Sequence, residues 1–433
     1  MSDLKKLFVI LLGLLLLLPA TVTFARDVQE NAEEDYRNLE IFTDVLALIR
    51  SSYVEEPDTQ ELLYGAIRGM LATLDPHSSF MSPEMFEEMK VDTHGEFGGL
   101  GVEIAIKENA LIVVSPIEDT PAYRVGIKAG DRIIGIDEHR TEDMEMMEAV
   151  KLMRGPKGAP VTLTITREGE QKPLVFTIVR DIIQLESVKS RMLDENYGYV
   201  RILQFQDRTA SDLRDHLDRL RETTDQLKGV VLDLRNNPGG LLDQAVEVAD
   251  TFIDSGLIVY TEGRDAEAQL EFSAAAEGTE PDYPLVVMID GGSASASEIV
   301  AGALQDHGRA LIIGEQSFGK GSVQTLIPLG DNSGLRLTTA RYFTPSGRSI
   351  QARGITPDII IPQQNGKIVE VPADEPLREA DLENHFRALP DNHPVIMGDE
   401  AAEPLDDDED YQLQRALELL KGYEILLRGQ QAA

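Results

Sequence analysis

Three serines alternate along GGSASASEI, at positions 293, 295 and 297, and a glycine-flanked lysine, Lys320, follows within GEQSFGKGSVQ. A serine hydroxyl attacks a carbonyl only when a neighbouring base takes its proton. Histidine is the usual base, and His307 is the nearest in sequence. A helix between the two would carry it about 18 Å along the axis, which excludes it. His94, His139 and His216 fall in other stretches with no acidic residue arranged to orient them, and no H-E-x-x-H pair points to zinc. Lysine can serve instead if it is neutral. Its ordinary pKa of about 10.4 must fall by several units, which burial among apolar groups achieves. Phe318 and Val323 offer an apolar wall, and the flanking glycines let the backbone approach closely. Gln324 can accept a hydrogen bond from the amine without adding charge.

The same stretch has a competing reading. Gly314, Gly319 and Lys320 fit the G-x-x-x-x-G-K spacing of a phosphate loop, but Gly321 stands where a Ser or Thr should bind magnesium. A phosphate loop also opens a helix, whose N-terminus neutralises the anion. Here the strand-like SVQTLIPL and GLRLTTARYF follow. Lys320 therefore reads as a general base. Among the serines, Ser295 and Glu298 have capping-box spacing and Ser297 competes for the same cap, so spacing alone does not rank the three.

These residues need elements to hold them. From 196 to about 362 the pattern alternates strand and helix: GVVLDL leads into the turn RNNPGG, and LVVMID into GGSAS and the helix ASEIVAGALQD. Such strand-to-helix turns present polar groups at the carboxyl ends of an α/β sheet. Residues 93 to 181 consist instead of short β-type runs, a helical EDMEMMEAVKLM and glycine turns. There Gly98, Gly99 and Gly101 precede the alternating Val102, Ile104 and Ile106, a strand edge suited to pairing with an extended peptide. The order resembles a PDZ domain, with GIKAGDRIIGID its most recognisable stretch. That resemblance implies that Gly99, Leu100, Gly101 and Val102 capture a peptide's C-terminal carboxylate.

LDLRNNPGGLL, SASASEI and FGKGSVQ, in that order and with a PDZ-like unit upstream, resemble the C-terminal processing peptidases, or tail-specific proteases. The resemblance runs from about Leu39 to Pro362. It implies an exported serine endopeptidase with Ser295 as nucleophile, Lys320 as base and Gln324 orienting the lysine. The oxyanion hole would use the N–H groups of Gly240, with Gly239 the second choice, and of Ala296. No metal or cofactor is implied. Substrates would be proteins or peptides with free C-termini, and an adaptor that delivers them is a candidate partner.

The bulk numbers narrow the rest. A chain of 433 residues calls for several domains. Its 40 basic against 76 acidic residues give a formal charge of −36, which disfavours nucleic acid and anionic lipid. With no cysteine there is no disulfide, thiolate nucleophile or cysteine-based zinc site. Lys5 and Lys6 before LFVILLGLLLLLP, with small residues near Ala25, read as a signal peptide, although an uncleaved anchor fits the same residues. The mature chain is then periplasmic or otherwise extracytoplasmic. The expected layout is a signal peptide over 1–25, a helical segment over 26–92, a PDZ domain over 93–181, an α/β peptidase core over 182–363, and an acidic linker with a final helix over 364–433. The fold class is thus α/β multidomain, with a mainly β PDZ domain and helical ends. Leu39, Phe42, Leu46 and Ile49 stripe one terminal helix; Ala416, Leu420, Tyr423 and Leu427 stripe the other. Both are candidates for subunit contact in a homo-oligomer. Two rivals remain: a PDZ scaffold with an inactive core, and a nucleotide-binding protein built around Gly314 to Lys320.

Overall fold

The computed structural model of the chain describes residues 35–107, 110–264, 269–362, 377–388 and 410–431. The expected signal peptide and most of the acidic linker lie outside the described residues. Residues 1–71 and 72–433 form two compact units. The first holds helix α1 (35–52) and nearly all of α2 (Thr59–Ala72). On α1, Leu39, Phe42, Val45 and Leu48 are exposed.

The second unit opens with β1 (Ser79–Met81), α3 (Pro83–His94) and β2 (Glu96–Gly99). A six-stranded antiparallel sheet follows, from β3 (Val102–Lys107), β4 (Ala110–Pro116), helix α4 (Pro121–Arg124), β5 (Arg132–Ile136), β6 (His139–Arg140), helix α5 (Met146–Met153), β7 (Pro160–Thr166) and β8 (Leu174–Val179). Its strand order is β3-β4-β5-β7-β8, with β6 on β5. Alternation builds the core: along β7, Val161, Leu163 and Ile165 point inward and join Ile133, Ile136 and Ala149. Helix α5 is shorter than EDMEMMEAVKLM suggests, beginning only at Met146. Strand β9 (Asp181–Gln184) pairs with β2 and leads out of this sheet.

The remaining elements are β10 (Val188–Asp194), β11 (Tyr197–Ile202), α6 (Thr209–Glu222), β12 (Gly229–Asp233), α7 (Leu242–Asp250), β13 (Gly256–Gly263), β14 (Glu271–Ala274), β15 (Leu285–Ile289), α8 (Ala296–Asp306), β16 (Leu311–Gly314), β17 (Ser322–Pro328), β18 (Gly334–Phe343), β19 (Ile359–Ile360), a 3-10 turn (Glu379–Asp381) and α9 (Tyr411–Gln431). One sheet runs β10-β11-β12-β15-β16-β19, parallel from β11 onward. Both its faces are covered, which explains why its strands read as unbroken apolar runs. Val230 and Leu232 of β12 face α6, α7 and α8, while Val231 between them faces α9. Of the expected α9 stripe, Ala416 and Leu420 are buried there with Leu413, whereas Tyr423 is exposed; the side chain of Leu427 lies outside the described residues. The helix is therefore docked on the parallel sheet over its first three turns.

A second sheet, β1-β18-β13-β14 with β17 on β18, carries the residues after the lysine. Strand β1 begins at Ser79 and pairs with β18 residues more than two hundred positions later. That pairing is long-range and leaves no local signal.

Candidate active site

Three loops at the carboxyl ends of β12, β15 and β16 meet. The first is the RNNPGG turn. Asn237 pins it, donating through Nδ2 to Ile202 O at 2.9 Å and accepting the Gly239 N–H at 2.9 Å. The second carries the serines. Its Ala294 N–H and Ser297 Oγ both donate to Asn237 O, at 3.0 and 2.9 Å, so the two turns are stitched together. The spacing-level tie among serines breaks here. Ser293 and Ser297 are fully buried and donate to backbone carbonyls, Leu234 O and Asn237 O. Ser295 is half-buried and commits its hydroxyl to no carbonyl among the described residues. It has φ 56° and ψ −113°, a left-handed backbone rarely adopted by a residue with a side chain. Such a bend throws the side chain outward ahead of α8, and strain of this kind is retained where surrounding structure over-determines it.

Gly239 shows how tightly these turns approach. It sits at φ +100°, and a Cβ there would lie 2.8 Å from Ser295 Cβ and 3.0 Å from the Ala296 nitrogen. The Gly239 N–H is already taken by Asn237. The N–H groups of Gly240 and Ala296 have no acceptor among the described residues.

The third loop runs from Gly314 to Gly321 into β17. The Phe318 N–H donates to Ser293 O at 3.0 Å. Fully buried Glu298, on the first turn of α8, gathers four donors: Ser317 Oγ at 2.5 Å and Gly319 N at 2.8 Å on Oε1, Ser295 N at 2.8 Å and Lys320 N at 2.9 Å on Oε2. Burial pushes its carboxyl up to about 7, against the pull of those four hydrogen bonds. Tyr342 of β18 donates its phenol to Lys320 O. Burial, reinforced by Glu298, raises that phenol well above its ordinary value.

Lys320 itself is half-buried. Burial lowers its pKa and Arg336 lowers it further, while Glu379, Glu298 and Asp75 pull the other way; the net direction is down. Among the described residues no carboxylate forms an ion pair with its amine. Asp75, also buried, keeps its carboxyl below the ordinary range: burial raises it, but hydrogen bonds from Ser78, the His77 amide and Thr338 outweigh that. The amide of Gln324 donates to Ser322 O at 3.2 Å and Ser322 Oγ at 2.9 Å, and makes no hydrogen bond to Lys320 in this structure.

In the upstream sheet, β3 is an edge strand paired, among the described residues, only with β4. Gly99 ends β2; Leu100 is buried, and its carbonyl accepts from Ala122 N at 2.9 Å. Gly101 O accepts from Ile117 N at 2.9 Å and Thr120 Oγ1 at 3.0 Å. The N–H groups of Leu100 and Gly101 have no acceptor among the described residues, and Val102 starts the free edge.

Comparison with known proteins decides the family. The model of peptidase family S41 matches residues 196–361, that of the PDZ domain residues 88–166, and that of the activating protease CtpB N-terminal domain residues 20–85. The carboxy-terminal-processing protease of Bartonella bacilliformis is 49% identical over 404 residues, covering 93% of this chain and 92% of its own. The chain belongs to peptidase family S41. A carboxyl-terminal-processing protease of Synechocystis is 39% identical, covering 76% of this chain and 78% of its own. A solved photosystem II D1 C-terminal processing protease is 30% identical, covering 74% of this chain and 92% of its own, with a TM-score of 0.43. This S41 member is thus a C-terminal processing protease of the serine type that carries a PDZ domain.

Some groups of this candidate site were invisible beforehand. Glu298 could be read only as a helix cap, because its second partner, Lys320, lies on another loop. Tyr342, Gln351, Glu379 and the Asp75–Ser78 turn come from distant parts of the chain, with no pattern joining them to the serine.

Proposed function

We propose that this protease uses Ser295 as nucleophile and neutral Lys320 as general base and acid. Ser295 Oγ attacks the scissile carbonyl while Lys320 Nζ takes its proton. The Gly240 and Ala296 N–H groups receive the oxyanion, the kind of donor pair that supplies much of the stabilisation in acyl transfer. Lys320 then returns the proton to the leaving amine, and water cleaves the acyl-enzyme with Lys320 again as base. Gln324 would turn to orient the lysine when substrate is bound. The observation that carries this reading is that the Ser295 and Lys320 amides share one carboxylate oxygen, Glu298 Oε2, while Lys320 is depressed by burial.

Substrate reaches the site by its tail. The free edge of β3 supports pairing with an extended peptide, and the unpaired N–H groups of Leu100 and Gly101 support capture of its carboxylate by the Gly99 to Val102 loop. Lys5, Lys6 and the apolar run after them support export to an extracytoplasmic space. The exposed apolar residues of α1 support self-association. Delivery by an adaptor is compatible with the same tail-reading surface.

The deciding experiment incubates wild type and Ser295→Ala with an unstructured substrate ending in a free carboxylate. Cleavage by the wild type alone is expected. Equal turnover by the variant ends the reading, and N-terminal sequencing with light scattering of the mature protein tests export and self-association.

A further inference from the structure

Glu298 holds the lysine loop on one side, and a second buried carboxylate holds it on the other. Glu379 is fully buried in the 3-10 turn Glu379–Asp381, beyond the residues matched by the S41 model. Its Oε1 accepts from Gln351 Nε2 at 2.7 Å, and its Oε2 meets His77 Nε2 at 2.7 Å. Gln351, also fully buried, accepts the Gly321 N–H through its own Oε1 at 3.0 Å. The Glu379 N–H donates to Phe318 O at 3.2 Å, and Arg378 Nη1 to Gln316 Oε1 at 3.0 Å. The turn therefore touches the loop at 316, at 318 and, through Gln351, at 321. We propose that Glu379, held by His77, is a positioning residue that fixes the lysine loop through Gln351 and balances charge at Lys320.

The chemistry favours a carboxylate over any neutral group here. Burying a charge is costly unless it is paired and hydrogen-bonded, and a purely structural spacer needs none. Two donors, His77 and Gln351, face Glu379 from opposite oxygens. A glutamine at 379 offers one acceptor and one donor, so it can satisfy only one of them. If Gln351 turns its amide to compensate, its NH2 faces the Gly321 N–H and the loop loses its anchor. Charge matters as well. Arg336, whose Nε donates to His77 O at 3.1 Å, acts with burial to push the Lys320 proton off; Glu379, Glu298 and Asp75 oppose it. A base works best when its proton affinity sits near the operating pH, so an overly depressed lysine is a poor one.

The inference rests on the reading of Lys320 as base, and its test keeps the two separable. Full-length wild type, Glu379→Gln, His77→Ala, the double variant, Ser295→Ala and Lys320→Ala are assayed on one tail-bearing peptide from about pH 6 to pH 10. Glu379→Gln should lower kcat at least about tenfold with KM within about twofold, and should move the half-rise of kcat/KM to lower pH. The double variant should be no slower than the slower single one, because both changes break one linkage. A wild-type kcat in Glu379→Gln, or a loss of kcat with the half-rise unmoved, overturns the inference. If Glu379→Gln does not fold, His77→Ala decides: its side chain is partly exposed, and a wild-type kcat there overturns it equally. Full turnover by Ser295→Ala or Lys320→Ala would instead fell the underlying reading.

Discussion

The backbone amides of Ser295 and Lys320 converge on a single oxygen, Glu298 Oε2, at 2.8 and 2.9 Å. Two loops separated by a whole helix and strand are thereby set in register at their reactive residues. Four donors and, among the described residues, no acceptor surround the carboxylate, so its ionised form is the one that holds the register.

That form opposes stability. The folded Glu298 carboxyl titrates at about 7, above its ordinary 4.5. A raised acid contributes stability fully below the unfolded value, and the contribution is lost as pH rises through the folded one. The cost of ionisation is about 3 kcal/mol. Glu298→Gln should therefore flatten the fall in unfolding free energy between pH 4.5 and about 7, while lowering kcat about a hundredfold. Denaturant titrations across that range, paired with kinetics, check both signs.

Lys320 gives the complementary dependence. Its folded pKa lies below 10.5, so between the two values the unfolded chain holds the extra proton and stability rises with pH. Activity should rise in the same window, as the amine becomes neutral. Lys320→Met should remove the stability slope and abolish turnover; a pH profile of both quantities is the measurement.

The oxyanion donors can be tested through their glycine. Gly240 sits at φ +144°, and a Cβ there would strike Phe205 O. Gly240→Ala should displace the N–H and lower kcat about a hundredfold, with KM little changed. Steady-state kinetics on a short peptide suffice.

Tail reading is separable from chemistry. A Cβ on Gly101, at φ +74°, would strike Thr120 and distort the loop whose N–H groups are free. Gly101→Val should weaken binding of a peptide with a free C-terminus about tenfold or more, and leave its amidated counterpart unaffected. Calorimetry with the two peptides distinguishes carboxylate capture from general loss of fold.

Much of this architecture was legible because its signals are local. The GVVLDL and LVVMID runs are continuous because both faces of the parallel sheet are covered, and the glycine turns after them mark strand ends. The lysine loop could be told from a phosphate loop because β17, not a helix, follows it. What stayed hidden depends on partners far away in sequence. Spacing alone does not rank Ser295 over Ser293 and Ser297, and only the family resemblance chooses it; in the fold Leu234 O and Asn237 O claim the other two hydroxyls. Strand β1 is three residues long and exists only through β18, and Glu379 enters the site from a segment whose composition resembles a linker.

The most direct measurement is covalent. A serine-directed fluorophosphonate is reacted with wild type and Lys320→Ala at several pH values, and the modified residue is mapped by mass spectrometry. Modification at Ser295, accelerating with pH and lost in Lys320→Ala, is the expected result. Modification at another residue, or an equal rate without the lysine, would contradict the assignment of nucleophile and base.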